Sequence, residues 1–204
     1  MLFVVTNRKL VETGNFLNKI EQIVAGGAGG IILREKDLPF DELLLLAKKV
    51  KAITEGSATK LIISQSIDIA IEVEAAGVQL SFEPFTNMKK QFNGLIGVSV
   101  HSVEEAVRAE DLGASYLLAG HIYTTECKKG IEPRGISFIK DIKAKTTIPL
   151  VAIGGINENN IDDVYESGAQ GVALMSLIME AEDCFKRVGK FKQLTNTKFN
   201  KIVI

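Results

Sequence analysis

Eight short apolar runs, separated by amphipathic stretches, constrain this chain more than any other feature. The runs span residues 2–5, 30–33, 60–63, 77–80, 94–98, 115–119, 149–153 and 170–174. Most are continuous rather than alternating, the pattern of parallel strands covered on both faces. Helical periodicity lies between them, over residues 16–25, 40–53, 67–75, 87–91, 103–112, 136–144, 158–167 and 181–194. Several helices end in one grammar: Ala75-Ala76-Gly77-Val78, Leu112-Gly113-Ala114-Ser115 and Ser167-Gly168-Ala169-Gln170. Ser102-Val103-Glu104-Glu105 reads as a capping box, Asn157 as a helix N-cap, and Gly113 and Gly168 as C-terminal caps. Eight evenly spaced β-α units, with no linker or composition shift, predict an α/β chain forming a single (β/α)8 TIM barrel, one domain over residues 1–204. An open doubly wound sheet is the alternative; the even spacing favours closure.

Composition removes several classes of partner. The 204 residues are 46% hydrophobic and 24% charged, enough for one sizeable core. Lys+Arg 24 against Asp+Glu 25 leaves a net charge of -1, so no bulk attraction to nucleic acid or anionic membrane is expected. No apolar run reaches the ~20 residues of a membrane helix. No basic stretch, apolar region and cleavage site precede the first strand, so no secretory leader is expected. Cys127 and Cys184 lie far apart without metal-type spacing, which points to a reduced, cytoplasmic chain. A homodimer is left open.

A barrel of this kind carries its site on the loops after the strands. After the seventh run comes Gly154-Gly155-Ile156-Asn157, and after the eighth comes Met175-Ser176-Leu177. Glycines let backbone N–H groups approach an anion, and a helix start supplies unpaired N–H donors. Gly154, Gly155, Met175 and Ser176 are therefore expected to hold a phosphate. Arg34 and Lys36 leave the second run as a pair of cations, either an anion site or a solvated charge run. Neither the third nor the fourth run ends in the paired aspartates that Mg²⁺ favours, and no metal or other cofactor is expected. His101 abuts a helix cap and reads as structural.

The segment Gly120-His121-Ile122-Tyr123-Thr124-Thr125-Glu126-Cys127-Lys128-Lys129 is the densest in chemistry. It puts His121 at a strand exit, where imidazole can both take and give a proton near neutral pH. His121 is the candidate general acid/base. No second histidine stands close in sequence to serve Cys127 as its base, and Cys127 is disfavoured as a nucleophile.

Taken together, Leu33-Arg34-Glu35-Lys36, Gly97-Val98-Ser99 with His101-Ser102, Thr125-x-x-Lys128, Val151–Ile156, and Gly171-Val172-Ala173 with Met175-Ser176 resemble the thiamine phosphate synthase superfamily over essentially the whole chain. The resemblance implies a (β/α)8 barrel that holds a thiazole phosphate, with Ser99, Thr125, Glu126, Cys127 and Lys128 joining the binding set. Two departures stand out. The synthase pattern has Asn-Asp after strand three and an Asp after strand four, for Mg²⁺; here stand Ser64-Gln65 and Pro84, with Glu83 one place earlier. The synthase also has Gly-Pro where this chain has Gly120-His121, and there the chain is similar to the sister thiazole tautomerases. The resemblance thus implies an isomerase of thiamine biosynthesis, a thiazole tautomerase. It would make a metal-free proton shift that aromatises a thiazole carboxylate phosphate, with His121 as acid/base and Arg34 and Lys36 near the substrate carboxylate. The alternatives are a thiamine phosphate synthase, coupling thiazole phosphate with hydroxymethylpyrimidine pyrophosphate, and a non-catalytic thiazole-phosphate-binding regulator.

Overall fold

The computed structural model describes residues 1–12 and 15–202. Eight parallel strands close on themselves in chain order: β1 Leu2–Val5, β2 Gly30–Leu33, β3 Lys60–Ser64, β4 Gly77–Ser81, β5 Leu95–Val100, β6 Tyr116–Gly120, β7 Leu150–Ile153 and β8 Gly171–Leu174. Closure is the pairing of β1 with β8, in the register Leu2↔Val172, Phe3↔Ala173 and Val4↔Leu174. The chain is a (β/α)8 barrel, and the open-sheet alternative falls on that pairing.

Closure makes strand parity decisive, because alternate side chains must point into the barrel or out toward the helices. Leu2, Val4, Ile31, Leu33, Leu61 and Ile63 pack outward with helix residues such as Ile20, Ile23 and Val50 in one large apolar cluster. Phe3, Val5, Ile32, Ile62, Tyr116, Leu118, Val151 and Ala173 form a second cluster inside the barrel. Phe3 and Tyr116 meet there as tilted rings with centroids 5.4 Å apart. The barrel interior is therefore filled, and a ligand has room only above it.

Nine helices occur among the described residues: α1 Phe16–Ala25, α2 Phe40–Thr54, α3 Ile67–Glu72, α4 Phe82–Thr86, α5 Val103–Asp111, α6 Gly135–Lys143, α7 Ile161–Glu166, α8 Ser176–Met179 and α9 Cys184–Ile202. Three start more than one residue away from expectation. The helix expected over 87–91 is absent; α4 starts directly after Ser81 and ends at the Asn87 cap. Pro84 is tolerated there because it falls in the first turn, where its missing N–H costs nothing. The seventh helix begins at Ile161 rather than 158, since the Asn157 side chain accepts from the Asn159 amide at 2.9 Å and makes a turn instead of a cap. α9 starts later and runs further than expected, with residues 203–204 of the tail outside the described residues.

Other signals hold. Ser102 Oγ accepts from the Glu105 amide at 3.1 Å, while the Glu105 carboxylate accepts from the His101 amide at 2.6 Å. Gly113 and Gly168 follow α5 and α7 with φ of 87° and 105°, the left-handed conformation that ends a helix. None of the described helices is long and apolar enough to cross a membrane.

Gly97 is fixed by packing rather than by backbone conformation. A Cβ on Gly97 in β5 would overlap the Tyr116 ring and the Gln79 carboxamide. Gly97→Ala is expected to destabilise the barrel by about 1–3 kcal/mol through overpacking, read as a lower urea midpoint at unchanged m-value.

Candidate functional site

Continuing the inward parity one step past each apolar run leads to the mouth of the barrel. Arg34, Ser64, Ser81, Ser99, Gly120, Ile153 and Met175 are the successive inward positions at the strand ends. All of them line one cavity of about 770 Å³ at the strand C-termini, a volume in the range of small-molecule sites. Val5, Ile32, Leu118 and Ala173, the upper members of the inner cluster, are its floor.

One side of this bowl is glycine. Gly154 and Gly155 follow β7 with φ of 102° and 67°. A Cβ on Gly154 would overlap His121, and one on Gly155 would lie 2.5 Å from the Thr124 carbonyl oxygen. Both the conformation and the close approach of the β6 loop therefore demand glycine. Asn160 Nδ2 donates to the Gly155 carbonyl at 3.0 Å and holds the turn. Met175 and Ser176 face it from β8 and the start of α8, whose first amides have no acceptor within the helix.

The β6 loop forms a second side. The Arg134 and Gly135 amides donate to the carbonyls of His121 and Ile122, both at 3.0 Å, and tie the loop shut at its base. Arg134 Nε adds a bond to the Gly120 carbonyl at 3.2 Å. His121 is 9% exposed, and its Nε2 lies 3.2 Å from the Ile131 carbonyl. Thr125, Cys127 and Lys128 come over the bowl from the same loop. Glu126 does not. It starts the 3-10 turn Glu126–Lys128, faces solvent and sits 3.9 Å from Lys129, so the expectation that it binds ligand has no geometric support.

Opposite that loop stand Arg34 and Lys36, and Lys128 reaches toward them from the loop itself. Arg34 is seated by a network that reading the sequence missed. Glu35, between the two β2 cations, is turned the other way and 4% exposed. Its carboxylate accepts from the Thr6 hydroxyl at 2.6 Å, the Arg8 amide at 3.0 Å and the Arg8 guanidinium at 3.3 Å. Thr6 Oγ1 also accepts from the Arg34 amide at 3.0 Å. Asp37, next along, is held by Arg8 and Lys9, which lowers its pKa far below the carboxylate range. With both acids committed, Arg34 and Lys36 are left facing the ligand space. The Lys36 pKa is lowered, first by Arg34, then by burial and by Lys128.

The wall beneath β3–β6 is uncharged. Gln65 Nε2 donates to Ser81 Oγ, and Gln79 Nε2 to Ser99 Oγ, each at 3.0 Å. The Tyr116 hydroxyl donates to Gln79 Oε1 at 2.7 Å, and burial raises its pKa. Gln65, Gln79 and Tyr116 were not anticipated as site residues. The readable signal was Gln79, a polar residue at inward parity inside Gly77-Val78-Gln79-Leu80. This donor set does not fit the Mg²⁺ that the synthase resemblance implies. No Asp or Glu lines the bowl, Glu83 lies exposed in α4, and no group of three or more His, Cys, Asp or Glu among the described residues could hold a metal ion.

The fold and the bowl define a (β/α)8 barrel with a small-molecule cavity at the carboxyl ends of its strands. The chain belongs to the thiamine monophosphate synthase family, whose model matches residues 2–178. It is 36% identical over 189 residues to a thiamine-phosphate synthase of Clostridium tetani, covering 91% of this chain and 90% of that one. It is 38% identical over 185 residues to a thiamine-phosphate synthase of Clostridium acetobutylicum, covering 89% and 88%. A solved thiamine phosphate pyrophosphorylase from Pyrococcus furiosus superposes with a TM-score of 0.83 at 30% identity, covering 97% of this chain and 96% of that one. These relatives overturn the tautomerase reading. Whole-chain similarity runs to synthases, which are transferases and not isomerases, whereas the tautomerase reading rested on the loop around His121 and on two absent carboxylates.

The Glu35 node gives a direct test. Glu35→Ala leaves the Thr6 hydroxyl and two Arg8 donors without their acceptor, and is expected to cost about 2–4 kcal/mol in a denaturant titration. Glu35→Gln, which retains one acceptor oxygen, is expected to recover part of that loss.

Proposed function

We propose that this chain is a transferase of thiamine biosynthesis, coupling a thiazole phosphate with hydroxymethylpyrimidine pyrophosphate as a single-domain enzyme over residues 1–204. What supports this reading is that one bowl carries a glycine-lined side and a separate group of cations, each suited to an anion. The glycine side, with amides of Gly154, Gly155, Met175 and Ser176, suits the thiazole phosphate. The cationic side, with Arg34, Lys36 and Lys128, suits a pyrophosphate, and Arg34 can offer it a two-pronged fork. Between them, the apolar floor and the Gln79–Ser99–Tyr116 wall suit two flat rings.

The chemistry is a displacement. The thiazole ring nitrogen supplies an electron pair to the pyrimidine methylene carbon. The C–O bond to pyrophosphate breaks, and its electron pair leaves on the pyrophosphate oxygen. Positioning and charge stabilisation carry such a step. It needs no proton shuttle, so His121, with Thr125 and Cys127, is assigned to holding the rings rather than to moving a proton.

The test is formation of thiamine phosphate from the two substrates, followed by chromatography with Mg²⁺ supplied so that metal availability does not limit it. Turnover is expected. Gly155→Ala is expected to lower kcat/KM for thiazole phosphate by about 10–100-fold, the loss of one or two charge-assisted bonds. No product from a folded protein would overturn the reading. If thiazole phosphate still bound in that case, the bowl would be a binding module.

A further inference from the structure

We propose that the bowl neutralises the pyrophosphate group of its ligand with protein cations alone and requires no divalent metal ion. This deepens the transferase reading above and rests on it. The family resemblance implies Mg²⁺ at this place, and three independent features of the chain point the other way.

The first is the wall where metal-holding carboxylates would stand. Its carboxamide oxygens are already committed. Gln65 Oε1 accepts from the Ser81 amide at 3.3 Å, and Gln79 Oε1 accepts from the Tyr116 hydroxyl at 2.7 Å. Mg²⁺ demands near-octahedral oxygen ligands and sheds water reluctantly, so it is normally anchored by one or two carboxylates besides the phosphate oxygens. Here no carboxylate stands ready to anchor it.

The second is charge. None of the cavity-lining residues is an Asp or Glu. The one carboxylate set between the β2 cations, Glu35, is spent on Thr6 and Arg8. An incoming Mg²⁺ would meet Arg34, Lys36 and Lys128 with no cavity-lining protein anion to offset them, and like charges repel.

The third is that these same cations have no counter-charge of their own. No ion pair among the described residues includes Arg34, Lys36 or Lys128. The backbone that carries Arg34 is held from behind by the Thr6–Glu35–Arg8 node. Three preset cations supply the charge that a metal would otherwise bring, and pyrophosphate is the group that balances them.

The experiment is calorimetric titration of the full chain with inorganic pyrophosphate, in MgCl₂ and in EDTA. Affinities within about threefold of each other are expected. Arg34→Gln and Lys128→Gln are each expected to weaken binding in EDTA by about tenfold or more, the size of a lost charge-assisted bond. Both positions are at the cavity mouth, and circular dichroism checks that the variants fold. Binding more than about threefold weaker in EDTA than in MgCl₂ would overturn the proposal. So would wild-type affinity in both folded variants, because the pyrophosphate would then sit elsewhere. The readout is binding without turnover. A metal requirement here leaves the coupling reading standing, and failed coupling leaves metal-free pyrophosphate binding standing.

Discussion

Closure of the sheet is the constraint on which everything else depends. Once β1 pairs with β8, no strand edge is left unpaired. Each residue along a strand is committed either to the inside or to the helices. The inside is narrow, so it fills with Phe3, Ile62, Tyr116 and Val151 at depth and leaves volume only at the rim. Site and core are thus consecutive positions on the same ladders: Val5 is floor and Asn7 is rim, Ile32 is floor and Arg34 is rim. A substitution deep in the barrel, such as at Gly97, reaches the bowl through Tyr116 and Gln79 rather than through the backbone.

Much of this was legible in the sequence, because parallel strands covered on both faces leave continuous apolar runs. All eight runs became strands, with shifts of one or two residues at their ends. The glycine pair after β7 was legible as a special turn, and its positive φ values state the reason in backbone terms. What stayed hidden was hydrogen bonding over long sequence separations. Glu35 looked like one member of an exposed charge run, and only the return of β1 beside β2 brings Thr6 and Arg8 to it. Asn157 carried a fair capping signal, but a turn of its own amide neighbours used the side chain first. Glu126 was expected to line the ligand space by resemblance to the synthase loop, and a 3-10 turn faces it outward while Thr125, Cys127 and Lys128 line the bowl.

Function was less legible than fold. One histidine at a strand exit and two absent carboxylates weighed heavily in a reading by motif, and they pointed to an isomerase. Similarity to synthases spread along nine-tenths of the chain points to a transferase. The loop geometry explains why the histidine is weak evidence for proton transfer. His121 is 9% exposed and its Nε2 faces the Ile131 carbonyl within its own loop, so it has a structural partner without any substrate.

The absent carboxylates keep their importance, and the Glu35 node shows why. A bowl that relied on a metal would need anions pointing inward. This chain has an anion at the right strand end and turns it outward, where it satisfies Thr6 and Arg8 and fixes the backbone that carries Arg34 and Lys36. Inverting that single parity would place an acid among the cations and cancel part of their field. The alternation Arg34, Glu35, Lys36, Asp37 is thus one device with two faces: acids bind the scaffold, and bases are left for the ligand. Charge that a metal would lend to the site is instead built into the strand register.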